Sequence, residues 1–236
     1  MDTLRNEENK KGIEKKAFLF CLLIAAAVFI PKMIMSHGYF ALSFDFSAEQ
    51  IPYGMLMNRA IKNGELWNWG IDLGGNLLVA FSFYNIGSPF MWLSFLFPAE
   101  WYPRLIGWIF ILKFAVAGWS SALWMKRYLH KRTSVLVGAM LYAFSGAQCI
   151  NIVFYHFQDV IAFFPLMLVE LDKHELENKK GGFAVACALN LMCNPIFFFG
   201  SACFTILYYI IRYFIPSPAN AVQCSCETNT KTAFTL

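Results

Sequence analysis

The sequence predicts an all-α, polytopic transmembrane helix bundle of about six spans, with a long outer first loop that carries short interfacial helices. Three observations predict it. The chain has 236 residues, of which 58% are hydrophobic, 18% aromatic and only 14% charged, against about 25% charged and about 45–50% apolar in soluble domains. The apolar residues gather in blocks near the ~20 residues that cross a ~30 Å hydrocarbon core at 1.5 Å rise per residue. Lys and Arg fall between these blocks with a strong bias to one side. The composition excludes a disordered chain, a coiled coil and a collagen-like fibre, and it argues against an ordinary water-soluble enzyme.

Residues 1–16 are a charged segment expected in the cytoplasm. The block that follows runs from Ala17 through Met35. It is longer than a signal-peptide core and lacks a small-residue cleavage site, so it reads as an uncleaved first span. The spans are expected at about 17–36, 105–124, 134–154, 157–171, 182–194 and 196–214. Asn194-Pro195 divides the last two, because proline disfavours helical backbone in the residue before it. With the N-terminus inside, thirteen Lys and Arg residues lie on the inner side, including Arg5, Lys10, Lys11, Lys15, Lys16, Lys126, Arg127, Lys131 and Arg132. Only Lys32, Arg59, Lys62 and Arg104 lie outside. This is the positive-inside pattern of a multi-pass bacterial plasma-membrane protein.

The apolar block 76–98 does not fit as a span. Crossing there would move the basic run 126–132 outside, and Gly87-Ser88-Pro89 breaks the block. It is expected on the outer face as a surface or re-entrant pair of short helices, with Phe81, Phe83, Tyr84, Phe90 and Trp92 at the interface. The first outer loop, 37–104, is therefore long, and long structured loops carry function. The bundle unit is 17–214. The tail 215–236 is rich in Ser, Thr, Asn and Cys and is expected to be disordered. Cys21, Cys149, Cys187, Cys193 and Cys203 lie in or beside apolar blocks and read as small hydrophobes. Cys224 and Cys226 have no partner pair for a metal. No Walker A or G-x-G-x-x-G phosphate loop is present, which argues against an ATP-driven pump, and the placement of the basic residues does not describe a nucleic-acid surface.

Four constellations carry chemistry. Asp45 and Glu49 follow the first span at a spacing of four, which on a helix puts both carboxylates on one face. Such a pair suits a general base for an acceptor hydroxyl, or a divalent-cation site. The stretch 64–76 combines Trp67, Trp69, Asn68, Asn76, Asp72 and four glycines; tryptophan stacks on sugar rings and asparagine hydrogen-bonds hydroxyls, although an interfacial aromatic belt has the same composition. Lys113 lies mid-span, where a cation is costly and needs an anionic partner, either a buried carboxylate or a lipid-linked phosphate. His156 and Asp159 lie near the turn between the third and fourth spans; they are too few for a metal site and suit hydrogen bonding or proton transfer.

These residues carry a resemblance. Asp45 with Glu49-Gln50-Ile51-Pro52-Tyr53, Asn63-Gly64-Glu65 with Trp67-Asn68-Trp69, and Asp72-Leu73-Gly74-Gly75-Asn76 stand in the order found in the YfhO family of bacterial multi-pass membrane proteins. So do Tyr84 with Ser88-Pro89-Phe90, Leu112-Lys113, Leu141-Tyr142-Ala143-Phe144-Ser145-Gly146 and Phe164-Pro165-Leu166. The resemblance runs from about 17 to 214. It implies a GT-C-like glycosyltransferase that takes sugar from a polyprenyl-phosphate donor and passes it, on the outer face, to a cell-envelope glycopolymer such as a teichoic acid.

The resemblance further implies Asp45 as the central carboxylate, with Glu49 as the weaker candidate at a place where relatives often carry Gln. Lys113 with Arg104 would offset charge on the leaving phosphate, and Trp67, Asn68 and Asn76 would hold sugar. Gln50, Asp72, His156 and Asp159 are further candidates for substrate binding, and the requirement for a divalent cation is left open. Family members are several times longer, so the sequence also admits an inactive truncated product or a non-catalytic membrane scaffold. A lipid-sugar transporter is the third reading; it should show paired broken helices, and only one broken segment, at 87–89, is visible.

Overall fold

The computed structural model describes residues 12–71 and 73–214. The tail 215–236 with Cys224 and Cys226, most of the segment 1–16, and Asp72 lie outside the described residues. The chain divides into two units, 1–198 and 199–236.

The first unit is built on α5, Tyr102–Met125, which opens with Pro103 in its first turn and is buried along most of its length. Helix α1, Ile13–Met35, lies along it. Its buried residues recur at every fourth position (Ala17, Cys21, Ala25, Phe29, Met33). Leu19, Phe20, Leu23, Ile24 and Val28 remain exposed. A stripe of small residues lets two apolar helices approach closely where lipid supplies no hydrophobic drive between them. The approach is close at Gly118, where an added Cβ would lie 2.4 Å from Cys21 Sγ, and at Gly107, where it would lie 2.5 Å from Met33 Sδ.

The long loop after α1 is ordered by local chemistry. His37 and Gly38 take left-handed backbone, and Gly38 N–H caps Met33 O at 2.8 Å. Phe40 N–H donates to Pro103 O at 2.9 Å, which ties the loop to the start of α5. A π-helical turn, Phe46–Gln50, runs into α2, Ile51–Asn63, which Gly64 ends at φ 70. A two-residue hairpin follows, β1 Trp67–Asn68 against β2 Gly75–Asn76, with Trp67 opposite Asn76 and Asn68 opposite Gly75. Two short helices come next, α3 Leu77–Phe81 capped by Asn76 and α4 Pro89–Ser94 capped by Ser88. These are the paired short helices expected in 76–98.

Helix α6, Arg132–Ala143, stops earlier than expected. The third span was predicted as one run over 134–154. Instead Ser145 opens a separate short helix, α7 Gly146–Ile150, and residues 151–156 form turns. Serine hydrogen-bonds neighbouring backbone in competition with the helix, and glycine is a weak helix former, so Ser145-Gly146 is a break. Helix α8, Phe157–Glu177, passes through Pro165, and α9, Gly182–Cys193, packs along α8. Helix α10, Pro195–Tyr209, begins in the first unit and continues in the second, ending in a π turn, Ile210–Phe214. Within the second unit the Thr205 hydroxyl donates to Ser201 O at 2.7 Å.

The all-α bundle is as predicted. Among the described residues, four helical stretches are long and apolar enough to cross a membrane: Ile13–Met35, Ala99–Met125, Arg132–Ile150 and Pro195–Tyr213. The two other expected spans are helices at the expected places. Helix α8 carries Glu170, Asp172, Lys173, Glu175 and Glu177 in its last turns. Helix α9 has 12 residues, about 18 Å of length.

At the end of the bundle opposite the long loop, charges are paired. Lys126 Nζ meets Glu14 at 3.2 Å, Arg127 meets Asp172 at 3.4 Å and Glu177 at 3.0 Å, and the Tyr128 hydroxyl donates to Asp172. These contacts join α1, α5 and α8.

Candidate functional site

The long-loop end brings together most of the residues singled out by the sequence. The carboxylate turn starts from Phe44, a non-glycine residue at φ 61. Left-handed backbone at an aromatic residue is strained, and such strain clusters where a fold must aim a side chain. The π turn that follows carries Asp45 at its cap and Glu49 in its first turn, while Phe46 and Gln50 point inward and are buried. Single π turns recur at functional sites. Asp45 is exposed and Glu49 half-buried.

Next to the pair stands Tyr84. Burial, then the neighbouring Tyr53, Glu49 and Asp45, hold its phenol above the usual range. The rings of Tyr53 and Tyr84 meet edge to face at 5.1 Å, and Tyr84 also lies 5.2 Å from the ring of His156. Tyr84 thus links the exposed carboxylates to a buried polar layer beneath them.

That layer contains Gln50, His156, Tyr155, Tyr102, Lys113 and Asp159, each 2% exposed or less. Lys113 Nζ lies 2.5 Å from Asp159 Oδ1 and donates to Tyr155 O at 2.7 Å. Its ammonium also sits over the ring of Tyr155 at 4.6 Å. The mid-span cation therefore takes the buried-carboxylate partner. His156 Nδ1 meets Gln50 Oε1 at 3.2 Å. Burial, helped by the Lys113 charge, pushes the imidazole down to about 3, so it is neutral at pH 7. Gln50 Nε2 and His156 Nε2 have no hydrogen-bond partner among the described residues. Asn85 and Ser88, both buried, lie beside Tyr155 and Asp159.

The other predicted residues stand apart from this layer. Asn68 Oδ1 accepts from Gly70 N–H at 2.8 Å, and Asn76 Oδ1 caps α3 through Leu78 N–H at 2.9 Å, so both carboxamide oxygens serve the local turns. Trp67 and Trp69 form an exposed edge-to-face pair at 5.8 Å. Gly74, at φ +123, has Trp69 and Trp67 ring carbons about 3.0 and 3.1 Å from where a Cβ would stand. Arg104 lies at the mouth of an apolar groove of about 380 Å³ between α1 and α5, lined by Ile30, Met33, Ile34, Leu105 and Trp108. Its guanidinium stacks 4.4 Å over Tyr39 and donates to the Tyr39 hydroxyl at 2.7 Å. No carboxylate pairs with Arg104 among the described residues. Arg104 and Lys113 are nine residues apart on α5, about 13 Å along its axis, so the structure does not bring them to one phosphate. His156 and Asp159 are likewise separated by their partners, Gln50 for the first and Lys113 for the second.

Among the described residues no three His, Cys, Asp or Glu side chains converge as a metal site. Asp45 and Glu49 are two carboxylates of one turn. Sequence reasoning missed Tyr84, Tyr102 and Tyr155. The first was read as an interfacial aromatic and as part of the resemblance but not as a site residue, and the other two fall just outside the expected spans 105–124 and 134–154.

The family model described as "Bacterial membrane protein YfhO" matches residues 17–234. The chain belongs to the YfhO family. The match runs through the tail, beyond the 17–214 over which the motifs were traced. No curated protein and no solved structure matches the chain. As a YfhO-family protein with apolar helices of membrane-crossing length, it is a membrane protein.

Proposed function

We propose that this YfhO-family chain is a membrane glycosyltransferase that takes a sugar from a polyprenyl-phosphate donor and transfers it to a hydroxyl of a cell-envelope glycopolymer. The observation that carries the reading is the carboxylate turn: two acidic side chains on a strained π turn, one exposed and one half-buried, held over a buried polar layer. The N-terminus lies in the cytoplasm and the long loop faces outward, as the Lys and Arg distribution favours.

In this reading the acceptor hydroxyl oxygen attacks the anomeric carbon. The bond from that carbon to the phosphate oxygen breaks, and the polyprenyl phosphate leaves with the electron pair. Asp45 takes the acceptor proton as general base, and Glu49 orients the acceptor. Arg104, braced by Tyr39 and with no carboxylate partner among the described residues, meets the lipid phosphate, and the apolar groove beside it receives the first part of the polyprenyl chain. Trp67 and Trp69 offer faces on which sugar rings stack.

The test is transfer of radiolabelled sugar from polyprenyl-phosphate donors in membranes holding this chain, with Asp45→Asn alongside. Transfer that falls at least a hundredfold in the variant, at equal membrane content, supports the assignment. Equal transfer by the variant removes Asp45 from the chemistry. Absence of transfer by the stably inserted parent favours a scaffold role.

A further inference from the structure

We propose that Lys113 is a positioning residue: held by Asp159, it fixes through the Tyr155 carbonyl the turn that carries Asp45 and Glu49. The proposal rests on the glycosyltransferase reading for its consequence in activity, but not for its structural content.

The contacts form one continuous path. Tyr155 lies in the turn 151–156, where no helical hydrogen-bond ladder holds the backbone. The Lys113 ammonium supplies a hold, at 2.7 Å from the Tyr155 carbonyl. From that fixed backbone the Tyr155 hydroxyl reaches two groups: it meets the Tyr102 hydroxyl and donates to Gln50 O at 3.4 Å. The Tyr155 ring also packs edge-on against Phe46 at 6.0 Å. The next residue, His156, bonds the Gln50 side chain at 3.2 Å. Residues 155 and 156 therefore grip Phe46 and Gln50, the two buried residues of the turn, which flank Ala48 and Glu49 and follow Asp45. Tyr102 closes the path on the other side, since Gly54 of α2 lets the Tyr102 ring lie directly on the α2 backbone. A Cβ at Gly54 would stand 2.1 Å from Tyr102 Cε1.

A buried lysine is a costly way to join two helices, because apolar side chains of similar volume pack them as well or better. What a cation adds is direction, since it orients a carbonyl oxygen. Asp159, 0% exposed, stands 2.5 Å from Lys113 Nζ and holds it in place where water does not reach. The pair thus makes physical sense as a device that sets the place of Tyr155, and through it the carboxylate turn.

Replacing one partner leaves a buried charge unpaired and threatens folding, so the main test uses the double variant Lys113→Met/Asp159→Leu in nanodiscs. Hydrogen–deuterium exchange is read by mass spectrometry over residues 44–51, with α1 and α8 peptides as internal references. The expected result is a double variant that inserts and melts like the parent, with α1 and α8 unchanged, but exchanges at least tenfold faster over 44–51. Sugar transfer then shows kcat down at least tenfold with the donor KM within twofold. Unchanged exchange over 44–51 overturns the proposal. Should the double variant fail to fold, Tyr155→Phe removes the hydroxyl contacts to Gln50 and Tyr102 with the ion pair in place. The same tenfold loss of protection is expected there, and unchanged protection again overturns the proposal. A parent that shows protection over 44–51 but no transfer refutes the glycosyltransferase reading alone.

Discussion

Acid should loosen this fold through one residue. His156 is about 1% exposed, at the boundary between the turn 151–156 and α8, and its imidazole is pushed from 6.5 down to about 3 by burial and by the Lys113 charge. Between those two values the unfolded chain binds a proton at this position that the folded chain does not. Stability contributed by the neutral ring is therefore fully present above pH 6.5 and is lost as pH falls. At 1.36 kcal/mol per pH unit, the loss at pH 5.0 is about 2 kcal/mol relative to pH 7.5, and its ceiling near pH 3 is about 5 kcal/mol. The variant His156→Gln keeps a neutral donor toward Gln50 Oε1 and cannot take the proton. Equilibrium unfolding in mixed micelles, followed by tryptophan fluorescence, should show the parent losing about 2 kcal/mol more than the variant between the two pH values. The other titrating groups are common to both proteins and cancel in the difference. An equal pH response in parent and variant would refute the reasoning, because it would mean that His156 is protonated in place without cost.

Gly87→Ala should destabilise by about 1–3 kcal/mol, since its Cβ would lie 2.0 Å from the Met192 carbonyl oxygen, a backbone atom; thermal melting of the inserted protein reads it. Gly118→Ala gains up to about 1 kcal/mol of helix propensity and loses about 1–3 to overpacking against Cys21, so a net loss is expected that Cys21→Ala partly restores in a double-mutant cycle. Arg127→Ala should cost about 1–3 kcal/mol by removing an ionic partner from the buried Asp172 carboxylate. Arg59→Ala should leave the melting temperature unchanged within error, because its pair with Glu100 at 2.9 Å is solvent-exposed on both sides.

The parts of the fold that were legible in the sequence are those set by hydrophobic length and by local capping. The 23-residue helix α1 follows from an apolar run of bilayer length. The pair of short helices in 76–98 follows from Gly87-Ser88-Pro89, which breaks the apolar block; that Asn76 and Ser88 cap the two helices is seen only in the structure. The break at Ser145-Gly146 was not read, because the apolar run continues through it and outweighs two weak helix formers in any window of bilayer length. The helices at α8 and α9 were also placed from the sequence, but the charged last turns of α8 and the 12-residue length of α9 keep both out of the four stretches that are long and apolar enough to cross a membrane among the described residues.

The candidate site divides along the same line. Asp45 and Glu49 could be placed on one turn from spacing alone, because the arrangement is local. Lys113 could be flagged from its cost in the membrane, and the demand for an anion followed from the charge. Which anion it would be could not follow, since Asp159 is distant in sequence and only the packing of α5 against α8 brings the two within 2.5 Å. The same packing changes what Lys113 is able to do. An ammonium already bonded to a carboxylate and to the Tyr155 carbonyl, at 1% exposure, is a poor receptor for a leaving phosphate. Arg104, about 13 Å away along α5 and lining an apolar groove, is the better one. The expected discriminator is charge reversal in transfer assays. Arg104→Glu should raise the donor KM at least tenfold by setting an anion against the lipid phosphate, with the exchange of residues 44–51 unchanged. Disruption of the Lys113–Asp159 pair should do the reverse, lowering kcat and loosening the turn with KM preserved. If both changes act on KM alone, the two cations share one phosphate after all, and the division of labour drawn from α5 is wrong.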